Sequence, residues 1–187
     1  MAALLFVMLG FWAGAIPFGV IVARFLGVEI RAHGSGNIGA TNVARVIGTV
    51  PGLFVLVLDA AKGGLPVAAA LGYSGELGVV LATGAAAILG HCFSPLLGFR
   101  GGKGVATALG VFLVLTPALV GCAVLVFALV VVVTRVPALG SLAAIATIAA
   151  LLLWQREPAI ASFAVGTTLL LLYTHRTNLA KLRQPRR

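Results

Sequence analysis

Long apolar runs alternate with short polar stretches along this chain. A helix that crosses a membrane needs about 20 predominantly apolar residues, within a range of about 17–25. The pattern therefore predicts seven membrane helices, some of them short. Their predicted bounds are 2–23, 50–72, 77–97, 104–115, 117–134, 137–155 and 158–175.

The charge-free stretch from Gly104 to Thr134 is too long for one crossing, and Thr116-Pro117 lies near its middle. Because a residue that precedes proline is disfavoured in a helix, we divide the stretch into two helices at this point. The alternative is a five-helix arrangement that merges two pairs of segments and keeps the same sidedness.

The composition agrees with a membrane protein and excludes a soluble one. Hydrophobic residues make up 61% of the chain and charged residues only 9%, whereas a soluble domain has about 25% charged residues. The mean hydropathy of +1.16 excludes a disordered chain as well. We therefore expect an all-α, polytopic bundle of transmembrane helices that forms a single domain over residues 1–187.

The basic residues are distributed unequally between the two predicted sides of the membrane. The chain has 13 Lys and Arg residues against 4 Asp and Glu, a net charge of +9. One side receives only Arg156. The positive-inside rule makes the other side cytoplasmic, so that the N-terminus lies outside and the C-terminus inside. The basic residues of the cytoplasmic side are Arg24, Arg31, Arg45, Arg100, Lys103, Arg135, Arg176, Lys181, Arg183, Arg186 and Arg187.

This topology explains the positive charge better than a nucleic-acid partner does, so none is predicted. The basic residues after Asn178 are expected to contact the headgroups of anionic membrane lipids.

The first cytoplasmic stretch is rich in glycine and in short polar side chains. Glycine allows tight turns in which successive N–H groups point at one anion, and an arginine adds a bidentate contact to phosphate. The stretch matches G-x-G-x-x-G, but no strand precedes it, so a dinucleotide site is excluded. We predict an anion site, with a plain flexible loop as the alternative. The candidate residues are Gly34, Ser35, Gly36, Asn37, Thr41, Asn42 and Arg45.

The second stretch, residues 90–107, contains Arg100 followed by Gly101, Gly102, Lys103 and Gly104. It is not a Walker A loop, because Gly104 occupies the Ser/Thr position of that motif. A helix is nevertheless expected to begin near Gly104, and the positive N-terminal end of a helix favours phosphate. We predict phosphate binding here, against the alternative that the two cations only fix the topology.

Other polar residues have less specific surroundings. His175 and Asn178, where the last span ends, share a helix face and are candidates for catalysis or for the membrane interface. Asp59 and Lys62 are spaced to pair within a span, which fits a structural ion pair as well as a site. Ser141 is more typical of helix packing, and His91 of the membrane interface. The spacing of the histidines and carboxylates predicts neither a metal nor a cofactor.

Four segments resemble the bacterial acyl-phosphate:glycerol-3-phosphate acyltransferases, the PlsY family. They are GSGNIGATNVAR at 34–45, DAAKG at 59–63, GHCFSPLLGFRGGKGVAT at 90–107 and HRTN at 175–178. The resemblance extends over nearly the whole chain, since the spans and loops follow the order of the family.

The resemblance implies a multi-pass enzyme of the bacterial inner (cytoplasmic) membrane whose active site faces the cytoplasm. It implies transfer of an acyl group from acyl phosphate to the 1-hydroxyl of glycerol 3-phosphate, which gives lysophosphatidic acid and phosphate in the first acylation of phospholipid synthesis. An upstream enzyme that forms the acyl phosphate is implied too.

The resemblance also assigns roles to individual residues. Ser35 and Arg45 are implied to be needed for activity, and Gly101–Gly104 with Lys103 to bind glycerol 3-phosphate. His175 and Asn178 match functional positions, and Ser141 matches a substrate contact. The chain lacks the Gly-x-Glu that ends the family's third motif, and Glu29 is a candidate to replace that glutamate.

We therefore hypothesise that the loop around residues 34–45 holds the phosphate of acyl phosphate and that Lys103 holds that of glycerol 3-phosphate. The sequence also allows the reverse assignment. The proton of the acceptor hydroxyl would pass to a phosphate oxygen or to His175, and Asn178 or backbone N–H groups would stabilise the oxyanion. The alternative function is a membrane transporter of an organic phosphate, which the ion pair of Asp59 and Lys62 favours.

Overall fold

The protein is all-helical over the part of the chain that the structure, a computed structural model, describes. That part is residues 2–182 without the side chain of Lys181. Two single-turn 3₁₀ helices lie at Ile30–Ala32 and Pro95–Leu97. The α-helices are α1 (Ala2–Ala15), α2 (Phe18–Phe25), α3 (Ala40–Val46), α4 (Thr49–Ser74), α5 (Leu77–Cys92), α6 (Val105–Leu115), α7 (Pro117–Thr134), α8 (Pro137–Trp154), α9 (Pro158–Thr174) and α10 (Arg176–Leu182).

The predicted helical membrane architecture is confirmed. Five helical stretches are long and apolar enough to cross a membrane. The helices α6 and α9 are apolar but shorter. The five long stretches and these two shorter helices lie where the hydrophobic pattern predicts the seven spans. The five long stretches are Ala2–Phe25, Thr49–Ser74, Leu77–Leu97, Pro117–Thr134 and Pro137–Trp154.

Prolines set the helix boundaries that the hydrophobic pattern alone misplaces. The first predicted span is broken at Ile16 and Pro17 into α1 and α2, since proline has no N–H to continue the helix. The helix predicted over 77–97 ends at Cys92, and a 3₁₀ turn follows from Pro95. Both breaks place backbone carbonyls where donors from other segments can reach them.

The predicted division of the long apolar stretch is also confirmed. The helix α6 ends at Leu115 and α7 begins at Pro117, while Thr116 has non-helical backbone angles (φ −148°, ψ 63°). The merged helix of the five-helix alternative does not form.

Two short helices lie within the polar stretches, and the second of them agrees with the predicted helix face of His175 and Asn178. The last part of the first stretch forms α3, and residues after His175 form α10. Of the basic residues assigned to the membrane surface, Arg183, Arg186 and Arg187 and the side chain of Lys181 lie outside the described residues.

The chain forms two compact units, residues 1–115 and 116–187. In the first unit α1 packs along α5 and α4 packs along α6. Gly14 lies directly against the backbone of Ala87, and Gly90 against that of Phe11. Small residues allow this close approach of two helix backbones, which is a common way of packing helices in a membrane.

A buried apolar cluster lies at the end of the first unit where the polar loops begin. The cluster joins residues of α2, the first 3₁₀ helix, α3 and α4, and Leu97 of the second 3₁₀ helix packs against it. We call it the basal cluster: Val20, Ala23, Ile30, Ile38, Val43 and Val55. It gives the loops around it a rigid support.

In the second unit α8 packs against both α7 and α9. The helix α7 exposes a row of large apolar side chains, Leu125, Leu129, Val132 and Val133, each more than 60% accessible. Such a surface suits contact with lipid tails rather than with water.

Candidate functional site

Asn42 organises the first glycine loop, which we define as residues 33–45. Its side chain is buried. Its Oδ1 accepts a hydrogen bond from the backbone N–H of Ser35 at 2.9 Å. Its Nδ2 donates to the carbonyl of His33 at 3.1 Å and to that of Asn37 at 2.9 Å. One amide side chain thus holds both halves of the loop together.

Four backbone N–H groups of the first glycine loop also donate within the loop itself. Their acceptors are the side-chain oxygens of Asn42, Ser35 and Asn37 and the carbonyl of His33. These amides fix the shape of the loop, whereas the sequence had suggested that they point at an anion. The four donors are Ser35, Gly36, Asn37 and Gly39.

The side chains of Ser35, Thr41 and Arg45 are exposed on the surface of the first glycine loop. Thr41 and Arg45 both belong to α3 and are four residues apart, so they lie on the same face of that helix. Two hydroxyl groups and a guanidinium offer the donors that a phosphate group needs.

Gly34 meets two local requirements of the loop. Its φ angle of +61° lies in the left-handed region, where a side chain is disfavoured. In addition, a Cβ atom at this position would overlap Oδ1 of Asn42. Any larger residue would therefore push away the side chain that organises the loop.

The second glycine loop, residues 98–104, folds back onto the C-terminal end of α5. The N–H of Gly101 donates to the carbonyl of Cys92 at 3.1 Å, and that of Gly102 to the carbonyl of His91 at 3.0 Å. These bonds satisfy carbonyls that the end of a helix leaves without partners. The loop is therefore fixed to α5 by its own backbone.

Lys103 is half-buried and lies immediately before the first turn of α6. Gly104 has a φ angle of +87°, and its carbonyl accepts the N–H of Ala108 at 2.8 Å as α6 begins. The helix therefore starts where the sequence predicted. The lysine lies beside the helix end that carries positive partial charge, an arrangement that favours an anion.

The first glycine loop and the residue that precedes the second one contact the same apolar cluster. The first loop contributes Ile38 and Val43 to the basal cluster, and Leu97, just before the second loop, packs against that cluster. The fold thus brings together two segments that the sequence had predicted separately as phosphate sites.

Asp59, Lys62 and His91 form a buried group of ionisable side chains behind the second loop. Lys62 Nζ lies 2.7 Å from Asp59 Oδ1, and His91 Nδ1 lies 3.8 Å from the same oxygen. All three side chains are at most 5% exposed. Removal of two charges from water is offset only when they pair closely, as they do here. The predicted pairing of Asp59 with Lys62 is thus present, and His91 is buried rather than at an interface.

The break between α1 and α2 is capped by side chains from distant parts of the chain. Ser94 Oγ donates to the carbonyl of Ala15 at 2.6 Å, and Lys62 Nζ donates to that of Ile16 at 2.7 Å. These carbonyls lack helical partners because Pro17 ends the first helix. Sequence analysis missed Ser94, since Pro17 signals the break but not its partner.

The remaining candidates belong to the second unit. His175 directly follows the last residue of α9 and is buried. Its Nδ1 lies 2.8 Å from the carbonyl of Leu171. A carbonyl can only accept, so Nδ1 carries the proton of this bond and Nε2 carries the lone pair in the neutral ring. The backbone N–H of Asn178 donates to the carbonyl of His175 at 2.9 Å, which joins α10 to the end of α9.

Ser141 lies in the second turn of α8, where its Oγ donates to the carbonyl of Pro137 at 2.9 Å. This bond to the preceding turn is the usual one for a serine within a helix. The hydroxyl oxygen retains lone pairs that can accept a further hydrogen bond.

A family model described as glycerol-3-phosphate acyltransferase matches residues 4–185. Relatives named glycerol-3-phosphate acyltransferase include one from Myxococcus xanthus (strain DK1622), which is 50% identical over 94% of this chain and 93% of its own. Another, from Syntrophotalea carbinolica (strain DSM 2380 / NBRC 103641 / GraBd1), is 46% identical over 90% of this chain and 88% of its own.

Two solved structures have the same fold. Both are crystal structures of PlsY (YgiH), an integral membrane glycerol 3-phosphate acyltransferase. The glycerol 3-phosphate form is 36% identical, has a TM-score of 0.93, and covers 97% of this chain and 92% of its own. The lysophosphatidic acid form is 35% identical, has a TM-score of 0.91, and covers the same shares of the two chains.

Proposed function

Because this chain belongs to the glycerol-3-phosphate acyltransferase family, we propose that it transfers an acyl group from acyl phosphate to the 1-hydroxyl of glycerol 3-phosphate. The membership supports acyl transfer to glycerol 3-phosphate, with lysophosphatidic acid as the product. The donor is the new part of the proposal. An acyl phosphate is a mixed anhydride of a fatty acid, so phosphate leaves as the ester forms.

The observation that supports this donor is the pair of glycine loops on the basal cluster. Each loop bears a cation, Arg45 or Lys103, and both belong to the first unit. Two phosphate sites are what two phosphate-bearing substrates require. We assign the phosphate of acyl phosphate to Ser35, Thr41 and Arg45, and that of glycerol 3-phosphate to Lys103 with the first turn of α6.

The reaction needs one proton transfer and stabilisation of one oxyanion. The 1-hydroxyl attacks the acyl carbon and loses its proton, either to an oxygen of the leaving phosphate or to Nε2 of His175. The bond of Nδ1 to the carbonyl of Leu171 leaves the lone pair on Nε2, which supports His175 as the alternative base. Asn178 or backbone N–H groups stabilise the oxyanion, and Ser141 contacts substrate.

Family resemblance supports the roles of His175, Asn178 and Ser141. The family model extends through both compact units without interruption, which supports a single acyltransferase domain. The chain itself supplies neither metal nor cofactor chemistry in this proposal.

We further place the enzyme in the bacterial inner membrane, with the glycine loops facing the cytoplasm and the N-terminus outside. The unequal distribution of basic residues supports this orientation. An enzyme that makes acyl phosphate must act upstream, because a reactive mixed anhydride has to be supplied continuously.

The ion pair of Asp59 and Lys62, which had favoured a transporter, has a structural explanation. Asp59 and Lys62 pair with each other at 2.7 Å, and Lys62 also caps the carbonyl of Ile16. This ion pair is accounted for by the packing of the helices.

The donor is tested with purified protein, radiolabelled glycerol 3-phosphate and palmitoyl phosphate, with palmitoyl-CoA in a parallel reaction and EDTA in both. We expect labelled lysophosphatidic acid with palmitoyl phosphate only. Product from palmitoyl-CoA alone would overturn the proposed donor and leave the acyltransferase activity intact. A third reaction with palmitoyl phosphate omits EDTA, and product in that reaction alone would overturn the proposed independence of metal.

A further inference from the structure

His91 occupies the space between a buried ion pair and the second glycine loop. We propose that His91 is a positioning residue. Packed against the Asp59–Lys62 pair, it fixes the shape of the second glycine loop and so keeps Lys103 at the start of α6. The inference rests on the proposed function, in which Lys103 binds the phosphate of glycerol 3-phosphate.

The contact of His91 with the loop has two components. Its backbone carbonyl accepts the N–H of Gly102 at 3.0 Å. Its ring lies so close to Gly102 that a Cβ atom there would overlap Nε2. The ring therefore supports the residue that directly precedes Lys103, and a change in its size or position shifts the backbone on which Lys103 is carried.

The other side of the ring faces α4. Asp59 Oδ1 lies 3.8 Å from His91 Nδ1 and 2.7 Å from Lys62 Nζ. Lys62 is held in turn by the carbonyl of Ile16 and lies 5.6 Å from the ring centroid of Phe18. The carboxylate that faces His91 is thus paired with a lysine that also contacts the break between α1 and α2 and the first residue of α2.

The segment that follows Lys103 is held by the same part of α4. Gly63, the residue after Lys62, lies directly against the carbonyl of Thr107 in the first turn of α6. Both flanks of Lys103 therefore rest on neighbouring residues of α4, one through His91 and the other by backbone contact.

His91 is 3% exposed and acts through the loop rather than on a substrate. A purely structural role would affect stability or both substrates alike. A positioning role predicts that the effect of a His91 substitution on glycerol 3-phosphate binding depends on Lys103.

The test is a double-mutant cycle of His91→Phe and Lys103→Ala. The Kd for radiolabelled glycerol 3-phosphate is measured for each purified protein of the cycle. We expect His91→Phe to raise the Kd about tenfold in the wild-type background and less than about twofold in the Lys103→Ala background. Thr83→Val is the matched control, because Thr83 is a buried polar residue of α5 whose Oγ1 donates to the carbonyl of Val79 within its own helix. It should leave the Kd unchanged.

The conservative variant His91→Gln keeps a polar group opposite Asp59 and should weaken binding less than His91→Phe does. If His91→Phe does not fold, His91→Gln takes its place in the cycle. If neither His91 variant folds, Asp59→Asn is combined with Lys103→Ala instead. Equal effects in both Lys103 backgrounds would overturn the positioning role. An unchanged Kd in Lys103→Ala alone would instead refute the proposed phosphate assignment of Lys103, so the two failures are distinguishable.

Discussion

Asn42 and His91 each hold one of the two glycine loops from its buried side. Asn42 does so by hydrogen bonds to three backbone groups of its loop, and His91 by its ring and its carbonyl. The sequence identified both residues as candidates, but as ligands or interfacial groups. At this scale a motif predicts that a residue matters, and the surrounding contacts decide how it acts.

The importance of Asn42 is tested by comparison with Asn37, whose side-chain oxygen accepts one hydrogen bond, from the N–H of Gly39, within the described part of the chain. Each hydrogen bond contributes about 0.5–1.5 kcal/mol net. Asn42→Ala removes three such bonds, so amide exchange of residues 35–39 should accelerate by about 100-fold. Asn37→Ala should accelerate it by about tenfold or less. The measurement is hydrogen–deuterium exchange, and similar rates in the two variants would contradict the assignment.

At the scale of helices, close backbone contacts determine how the first unit is assembled. Gly63 of α4 lies against Thr107 of α6, and Gly110 of α6 lies against Ala60 of α4. The two reciprocal contacts bring α4 and α6 together at the level of the buried ion pair. The apolar pattern predicted both helices but not this contact, because the residue that a glycine touches belongs to another segment.

This helix contact is tested with two substitutions on α4. A Cβ atom at residue 63 would overlap the carbonyl of Thr107, whereas one at Gly72 meets nothing within 4 Å. We expect Gly63→Ala to lower the free energy of unfolding by about 1–3 kcal/mol because the helices must separate. Gly72→Ala should be neutral, or stabilising by up to about 1 kcal/mol through helix propensity. Thermal unfolding in detergent compares the stabilities of the two variants, and equal stabilities would contradict the close contact of Gly63 with Thr107.

At the scale of the whole molecule, composition and charge predict the membrane class and the orientation. The all-helical class and the helix positions are confirmed. The orientation and the single domain remain predictions. Orientation depends on how the charges are distributed between the two sides during insertion.

The orientation is tested by cysteine labelling in a Cys122→Ala background, since Cys122 is exposed and Cys92 is buried. Ser74→Cys and Gln155→Cys should react with a membrane-impermeant maleimide in intact cells. Arg31→Cys and Thr177→Cys should react only after permeabilisation, because the positive-inside rule places these loops in the cytoplasm. All four residues are exposed in the fold, and the reverse labelling pattern would show the opposite orientation.

The sequence by itself determined the helical membrane class, the helix positions and the two cationic glycine segments. These depend on local properties, such as the hydropathy of about 20 consecutive residues or the residues within one loop. Prolines supplied further boundaries, such as that between Leu115 and Pro117, for the same local reason.

Only the tertiary structure decided which residues support those segments. Ser94 caps a carbonyl 79 positions away and Lys62 one 46 positions away. His91 meets Asp59 through the packing of α5 and α4. Such contacts depend on where separate helices meet in space, and no local pattern specifies that meeting point. The physical reason is that a broken helix needs partners for its carbonyls, but any suitably placed donor can supply them.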